Sequence, residues 1–286
     1  LAVGAQGEAS KATGVNGNQD DQSAPNAGAV YTYIRSGGSW AHQAYVKASN
    51  TDAGDGFGAS LALSGNGSTL TVSAPGEASR ATGIQGDQQD NTLPRSGAVY
   101  AFTQNAGAWS QQAYIKTSVA DANEAFGGRQ ALSGDGDTLA VGGNTVQVFA
   151  RTNGLWSAQA RLNGAGNSNG YANSIAMSAA GNVLAISTAG DGSNARGLNG
   201  NPTNSAAPVS GAVTLFERIN GTWQSRAYIK ASNTDAGDGF GTSVSLSADG
   251  STLAVGAIFE RSSATGVGGN QSDHAQSPVG AVYVFS

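Results

Sequence analysis

Hydrophobic positions along the chain form short alternating runs that are separated by polar, glycine-rich turns. In the second copy of this pattern the runs span residues 57–64, 69–74, 97–103 and 109–118, labelled a to d below. Alternation with β-branched and aromatic enrichment is the pattern of a half-buried strand. No segment of useful length shows the 3.6-residue period of an amphipathic helix. The pattern predicts an all-β chain made of four-stranded units.

The turns between these runs carry the residues that tight hairpins require. Asn66-Gly67, Asp135-Gly136 and Asp249-Gly250 join run a to run b, and Asn153-Gly154 and Asn220-Gly221 join run c to run d. Asn, Asp and Gly tolerate the positive φ of two-residue hairpin turns. Consecutive runs are therefore expected to pair antiparallel.

The unit repeats along the chain with a measurable period. Residues 47–58 recur unchanged at 230–241, and Phe57, Phe126, Tyr171 and Phe240 align at spacings of 69, 45 and 69 residues. The 45-residue unit is short because Gly142-Gly143-Asn144 replaces a long loop between runs b and c. We expect one domain over residues 1–286. Its repeats 1 to 5 span residues 1–56, 57–125, 126–170, 171–239 and 240–286.

Four antiparallel strands per unit, repeated around an axis, make a β-propeller, an architecture that leaves few exposed strand edges. The chain holds about five blades' worth of strands, because the first unit lacks run a and the last lacks run d. We expect a piece of a longer array, such as part of a larger propeller. A five-bladed ring closed by two three-stranded blades is the alternative.

Composition excludes several classes of protein. The 286 residues include 43 Gly and no Cys, which excludes disulfide scaffolds and Cys-containing zinc sites. The formal net charge of −5 disfavours nucleic acid as a partner. No run of about 18 apolar residues exists, so no membrane span is expected in this segment. The abundance of Gly, Asn, Ser and Thr favours an extracellular or cell-surface location.

The order of short motifs resembles FG-GAP repeats. Phe57-Gly58, Phe126-Gly127 and Phe240-Gly241 supply the Phe-Gly element, and Ser73-Ala74-Pro75 and Val255-Gly256-Ala257 supply the second element. FG-GAP repeats build the β-propeller of integrin α-subunits and of many bacterial surface proteins. The resemblance covers essentially the whole chain and implies a propeller. It leaves function open among adhesion proteins, lectin-like binders and propellers attached to enzymes.

The chain departs from the integrin-type pattern at one place. Integrin-type repeats carry a calcium loop of the Asp-x-Asp-x-Asp-Gly kind between the two motif elements. Here that stretch is a bare hairpin, as in residues 64–68. The resemblance therefore does not carry calcium over to this hairpin.

Acidic residues recur instead in the loop that precedes run a. Two carboxylates three residues apart in a Gly-rich loop can supply several of the 6–8 oxygens that calcium needs. The predicted calcium ligands are Asp52, Asp55, Asp121, Glu124, Asp235 and Asp238. The alternative is that these acids make Asx turns and cap backbone N–H groups.

The long loop between runs b and c repeats polar residues in register. Loops of this length inside compact domains are usually functional or disordered, and close repetition argues against disorder. The predicted ligand-binding residues are Glu8, Thr13, Asp21, Glu77, Thr82, Asp90, Glu260, Thr265 and Asp273. The alternative is a self-packed Ω loop. Lys47, Lys116 and Lys230 also recur, and we expect them to pair with loop carboxylates at the surface.

Catalysis finds little support, because His42 and His274 occupy unrelated repeat positions and repeated acids indicate repeated sites. The chain is therefore expected not to be an enzyme. The leading hypothesis is an extracellular binding or adhesion module with calcium in its acidic loops. It would bind a protein or glycan on a surface, or copies of itself. A structural or filament-forming repeat and a carbohydrate-binding propeller lectin are the alternatives.

Overall fold

The computed structural model describes residues 1–164, 172–273 and 277–286, which leaves Tyr171 and His274 outside the described residues. The described residues contain eighteen strands and no helix, which confirms the all-β prediction. Within them, accordingly, no helix is long and apolar enough to cross a membrane.

Three repeats form complete four-stranded antiparallel sheets with the strands in the predicted order. Repeat 2 contains β4 (Leu61–Leu63), β5 (Thr69–Ala74), β6 (Ala98–Asn105) and β7 (Ala108–Ile115). Repeat 3 contains β8 (Arg129–Leu132), β9 (Thr138–Gly142), β10 (Val146–Thr152) and β11 (Leu155–Leu162). Repeat 4 contains β12 (Ile175–Met177), β13 (Val183–Thr188), β14 (Ala212–Ile219) and β15 (Thr222–Ile229). These sheets are the four-stranded blades expected of an FG-GAP propeller.

The first and last sheets have three strands each. Repeat 1 contains β1 (Ala2–Ala5), β2 (Ala29–Ser36) and β3 (Ser39–Val46). Repeat 5 contains β16 (Phe240–Leu246), β17 (Leu253–Ala257) and β18 (Ala281–Phe285). Asn153 and Asn220 in the hairpin turns have φ of 50°, followed by Gly154 and Gly221 at 80° and 82°. The turn residues therefore adopt the conformation for which the sequence selects them.

The chain divides into two compact units, residues 1–143 with 147–159 and residues 144–146 with 160–286. In the first unit Phe57 packs against Tyr100 and Phe102, with ring centroids 5.5 and 6.1 Å apart. In the second, Phe240 makes the corresponding contacts with Tyr283 and Phe285 at 5.4 and 6.2 Å. Each Phe of the Phe-Gly element therefore lies in the core of its own repeat. The assignment of one domain over residues 1–286 stays a prediction.

The Phe-Gly elements also join neighbouring repeats through the backbone. Phe57 N–H donates to Ala27 O, Phe126 N–H to Ser96 O and Phe240 N–H to Ser210 O, at 2.9 to 3.1 Å. Each acceptor lies at the end of the preceding repeat's long loop, one residue before a Gly with positive φ. The long loop and the next repeat are thus fixed to each other.

Candidate functional site

The long loops span residues 6–28 between β1 and β2 of repeat 1, and residues 75–97, 189–211 and 258–280 between the second and third strands of repeats 2, 4 and 5. In three repeats the middle of the loop folds back onto the last strand of its own sheet. Isolated bridges join Val15 to Val46, Ile84 to Ile115 and Leu198 to Ile229. The loops of repeats 1, 2 and 4 therefore cover the outer strand edge, which would otherwise expose unpaired backbone groups.

A buried ion pair anchors each of these three loops. Lys116 Nζ lies 2.7 Å from Glu77 Oε2, and both side chains are almost fully buried. The equivalent pairs are Lys47 with Glu8 at 2.7 Å and Lys230 with Asp191 at 3.0 Å. Each carboxylate begins the long loop, and each Lys follows the last strand. The ion pair therefore links the start of the long loop to the residue that follows the last strand of the same sheet.

The prediction that the lysines pair with loop carboxylates at the surface is wrong about the surface, because all three Lys side chains have 0% exposure. For two of the three lysines, a second hydrogen-bond acceptor offsets part of the cost of burying the ammonium group. Lys116 Nζ also donates to Ser96 Oγ at 2.7 Å, and Lys230 Nζ to Ser210 Oγ at 2.7 Å. Burial lowers the pKa of Lys116 and of Lys230, and the facing carboxylates oppose that shift.

Repeat 3 provides an internal comparison, because it has no long loop. Lys follows the strand-opening Trp by seven residues in repeats 1, 2 and 4, whereas Asn163 holds that place after Trp156. Asn163 is exposed. Loop, carboxylate and Lys are thus missing together in repeat 3, as expected if the Lys serves to anchor the loop. This shared loss is the sequence signal that identifies the buried pair.

Within the loop, Asp21 and Asp90 bind backbone amides. Asp90 Oδ2 accepts from Arg80 N at 3.2 Å and its Oδ1 accepts from Thr92 N at 2.8 Å. Asp21 does the same with Lys11 N and Ser23 N, both at 2.9 Å. The side-chain hydroxyl of Ser23 is the largest cause that lowers the pKa of Asp21, and that of Thr92 is the largest for Asp90; the backbone amides lower both pKa values further.

The corresponding residue of repeat 4 shows that charge is dispensable at this place. Asn204 Oδ1 accepts from Asn194 N at 2.9 Å, so an amide replaces the carboxylate in the same bond. In repeat 5, Ser263 Oγ donates to Asp273 Oδ2. The aligned residues therefore hold the two sides of the long loop together.

Apart from the three Asp residues, the predicted ligand-binding residues fall into two groups in the structure. Glu77 and Glu260 are buried, and Glu8 has 12% side-chain exposure. Their carboxylates accept the backbone N–H two residues on, as in Ser79 N to Glu77 Oε1 at 3.2 Å. Thr13, Thr82 and Thr265 lie exposed on the loop surface. The Glu residues thus face the interior of the unit, and the Thr residues face solvent.

The acidic loops lie at the junctions between repeats, at residues 47–60, 116–128 and 230–239, and we call them junction loops. Asp55 Oδ2 accepts from Asp52 N at 3.0 Å, and Asp238 Oδ2 accepts from Asp235 N at 2.9 Å. Asp52 Oδ2 accepts from Asn91 Nδ2 of the next long loop at 2.8 Å. Asp55 and Asp238 therefore brace their own junction loops, and Asp52 connects its junction loop to the next long loop.

Asp121 and Glu124 form the third acidic pair. Asp121 is exposed and Glu124 is 3% exposed, and Thr117 Oγ1 donates to Glu124 Oε1 at 3.4 Å. Each junction loop thus offers two carboxylates, one of them buried, against the 6–8 oxygens that calcium takes. Within the described ranges no group of three or more His, Cys, Asp or Glu residues could hold a metal. Calcium at these residues stays a prediction.

Stability should fall as pH rises from about 4 to 7 because of Asp55. Burial raises the pKa of Asp55 to about 7; the backbone N–H of Asp52 opposes this, and the charges of Glu77 and Asp52 add to it. The folded chain therefore binds this proton more tightly than the unfolded chain, whose Asp has an ordinary pKa near 3.8. Each unit of difference is worth about 1.4 kcal/mol, so the loss reaches at most about 4 kcal/mol.

Urea unfolding of the wild type and of Asp55→Asn at pH 4, 6 and 8 measures this contribution. The amide keeps an acceptor for Asp52 N and cannot ionise. The variant should match the wild type near pH 4 and exceed its unfolding free energy by about 2–4 kcal/mol at pH 8. Equal free energies at pH 8 would show that Asp55 is ionised in the folded chain at no cost.

Residues 223–285 match the family of FG-GAP repeats. The match includes the last strand of repeat 4 from its second residue, a junction loop with its Phe-Gly element, and the whole sheet of repeat 5. It confirms the resemblance that the sequence motifs indicate. A search of curated proteins finds no match.

Two similar solved structures are hydrazine synthase of Kuenenia stuttgartiensis and a putative 6-phosphogluconolactonase of Bacteroides uniformis ATCC 8492. Identity is 16% and 14%, the TM-scores are 0.40 and 0.42, and 68% and 71% of this chain are covered. The chain spans 40% and 49% of those two proteins. The expectation that the chain is not an enzyme is corrected here, because both similar structures are named as enzymes. At such identities they assign no activity to this chain.

Proposed function

We propose that this FG-GAP repeat chain is an extracellular or cell-surface binding module in which each long loop forms a binding face. One observation carries the proposal. The loops of repeats 1, 2 and 4 are held in the same shape by the same contacts, and they expose side chains at the same aligned positions. A loop that is fixed by backbone-directed bonds and a buried ion pair loses little conformational entropy when a ligand binds.

The exposed residues of the loops are mostly short and uncharged. Thr13, Thr82 and Thr265 align with one another, and the exposed Arg196 holds that place in repeat 4. Such hydroxyls can donate and accept hydrogen bonds, which suits a glycan or the polar surface of a protein. Because equivalent sites recur on one chain, weak single contacts would combine through high effective concentration.

Substitution of the three threonines tests the binding face. We expect Thr13→Ala, Thr82→Ala and Thr265→Ala together to lower binding to immobilised ligand roughly 100-fold, and each alone only a few-fold, because avidity multiplies the single sites. Binding is measured on an array of purified glycans and on immobilised glycoproteins before and after deglycosylation. The matched control is Ser39→Ala, Thr152→Ala and Thr222→Ala, which removes exposed hydroxyls from the hairpins that join the last two strands of repeats 1, 3 and 4.

The outcomes of this experiment separate the alternatives. Binding to purified glycans assigns the chain to the lectins, whereas binding that survives deglycosylation assigns it to protein adhesion. An equal loss of binding in the test and control variants would contradict the proposal that the long loops bind the ligand. If the chain binds none of the probes and self-associates as its concentration rises, a structural repeat would be favoured.

Calcium at the junction loops belongs to the same proposal. The support for it is the recurrence of two carboxylates in Gly-rich loops that contact the long loops, as Asp52 does through Asn91. Bound calcium would order both loops, so the binding assay is run in calcium and in EDTA. A melting temperature that EDTA leaves unchanged would remove the metal from the proposal, since a ligand of the native state must raise it.

A further inference from the structure

An amide side chain docks the long loop on the outer strand in repeats 1 and 4. In repeat 1, Asn16 N–H donates to Tyr45 O at 2.7 Å, and Asn16 Oδ1 accepts from Tyr45 N at 3.0 Å. In repeat 4, Asn199 forms the same two bonds with Tyr228, at 2.7 and 3.1 Å. In each of these repeats one Asn side chain therefore carries a bond that joins loop and strand.

Repeat 2 has the longer amide at this place. Gln85 N–H donates to Tyr114 O at 2.8 Å, and Gln85 Oε1 accepts from Tyr114 N at 3.0 Å. All three docking residues have positive φ, which is 57° for Asn16 and Gln85 and 56° for Asn199. Two amides that differ by one methylene group thus make the same contacts in the same backbone conformation.

A glycine follows each docking residue, and the packing of the loop requires it. A Cβ at Gly17 would lie 2.7 Å from Ala12 Cβ, and a Cβ at Gly86 or Gly200 would lie 2.6 or 2.7 Å from the equivalent alanine. Non-bonded carbon atoms do not approach so closely, so a larger residue would displace the loop. The fold therefore keeps Asn-Gly in repeats 1 and 4 and Gln-Gly in repeat 2.

Asn-Gly is a chemically labile pair, and Asn is among the thermolabile residues of proteins. The Gly nitrogen attacks the Asn Cγ, a five-membered succinimide closes, and the Cγ–Nδ2 bond breaks. Nδ2 leaves as ammonia together with the proton of the Gly N–H. Water then opens the ring to Asp or, by adding to the backbone carbonyl, to isoaspartate. Gln-Gly must close a six-membered ring from a longer side chain, which reaches the reactive geometry less often and reacts far more slowly.

Two features of the docked loop favour this reaction at Asn16 and Asn199. Among the described residues no hydrogen bond engages the N–H of Gly17 or Gly200, so the attacking nitrogen is available. The Tyr45 N–H that binds Asn16 Oδ1 also stabilises the negative oxygen that forms when Cγ is attacked, as a donor of an oxyanion hole does. The bond that docks the loop therefore also activates the amide.

We propose that Asn16-Gly17 and Asn199-Gly200 are sites of spontaneous deamidation that releases the long loops of repeats 1 and 4, while Gln85-Gly86 keeps the loop of repeat 2 docked. Isoaspartate carries the backbone through Cβ and Cγ, so the chain gains one backbone atom. The left-handed turn that presents both docking groups to the strand is then lost. The Asp product keeps the acceptor in place and leaves the loop docked.

Incubation of the purified chain at mildly alkaline pH, followed by digestion and mass spectrometry, tests the chemistry. We expect the peptides that contain Asn16 and Asn199 to change from the amide to the carboxylic acid mass. Each should separate into an Asp form and an isoaspartate form, and protein isoaspartate methyltransferase should label only the second. The peptide that contains Gln85 should stay unchanged.

Exchange of the two amides between repeats is the matched control. Asn16→Gln should abolish deamidation in repeat 1, and Gln85→Asn should introduce it in repeat 2. Gln85 forms both docking bonds in repeat 2, so Asn16→Gln should leave the loop of repeat 1 docked. Melting curves of the fresh variants confirm that each is folded.

Hydrogen exchange of the aged protein tests the release of the loop. The amides of Tyr45 and Lys47 donate to Asn16 Oδ1 and to the carbonyl that follows Thr13 in the loop, so they should lose protection in the isoaspartate fraction. Lys116 of repeat 2 should keep its protection. Freshly prepared Asn16→Asp has the charge of the product without the extra backbone atom and should stay docked.

Three results would overturn the proposal. If Asn16 and Asn199 stay intact after the hairpin pair Asn153-Gly154 of the same sample has reacted, the docked loop protects them. Full protection of Tyr45 in the isoaspartate form would show that the loop remains docked after the reaction. Equal loss of protection in fresh Asn16→Asp would assign the release to the added charge and not to the change of backbone.

Discussion

Replacement of Lys116 by Met should lower the free energy of unfolding by about 3–5 kcal/mol. Lys116 Nζ lies 2.7 Å from Glu77 Oε2, and the two side chains are 0% and 1% exposed. Removal of the ammonium group leaves a buried carboxylate without its counter-charge, and removal of one partner of a buried pair costs more than the pair contributes. Urea unfolding followed by tryptophan fluorescence measures the change.

Two further variants show whether the loss comes from the uncompensated charge. Lys116→Met combined with Glu77→Met removes both charges and should recover most of the lost stability, since apolar replacements of buried pairs are often neutral. Arg226→Met breaks the exposed pair with Glu217, whose side chains are 53% and 39% exposed, and should change stability by less than about 1 kcal/mol. If Lys116→Met and Arg226→Met changed the free energy of unfolding equally, the buried ion pair would not stabilise the fold more than an exposed one.

Gly97→Ala should destabilise the junction between repeats 2 and 3 by about 2–5 kcal/mol. Gly97 has φ +81°, and a Cβ placed there would lie 2.3 Å from Phe126 O and 2.4 Å from Phe126 N. Backbone atoms cannot turn away as a flexible side chain does, so the two repeats must separate. The positive φ adds about 1–2 kcal/mol to an overpacking cost of about 1–3 kcal/mol.

Gly107→Ala is the matched control for this prediction. Gly107 lies in a hairpin turn with φ +87°, and its Cβ would meet nothing within 4 Å. Only the backbone cost applies, so the expected loss is about 1–2 kcal/mol, without the overpacking cost. If both variants lose the same amount in urea unfolding, the close approach of Gly97 to Phe126 does not exist in solution.

The strands and hairpins could be predicted from the sequence because they depend on local patterns. Alternation sets the face of each strand, and Asn153-Gly154 and Asn220-Gly221 adopt the positive φ for which hairpin turns select them. The position of the long loop could be predicted only by comparing the repeats with one another. The short third unit locates the long loop in the others, and the structure has the predicted antiparallel order in every sheet.

The anchoring lysines could not be placed from local pattern, because their burial depends on the path of a loop far away in sequence. Lys116 meets Glu77 across 39 residues, and its charge alone suggests a solvated side chain. The signal was nonetheless present in repeat 3, which lacks the loop and carries Asn163 in place of Lys. Comparison of complete repeats with an incomplete one identifies such pairs.

Asp90 illustrates why the sequence could not assign a role to the acidic residues that recur in the loops. A carboxylate that recurs in a loop fits an ion site and a backbone cap equally well on sequence. In the structure Asp90 accepts from two backbone amides, Arg80 N and Thr92 N. Asn204 at the same place in repeat 4 is the residue that distinguishes the two interpretations, because an amide can cap but contributes no charge.

Hydrogen exchange of individual backbone amides tests most directly whether the long loops are docked on the outer strand edges. The amides of Lys47, Lys116 and Lys230 donate to Gly14, Gly83 and Gly197 of the loops at 2.7 to 2.9 Å. We predict protection close to that of the buried strands. In Glu77→Gln, protection should fall at Lys116 alone. Exchange of these three amides at the rate of an unstructured peptide would contradict the docking of the long loops on the outer strand edges.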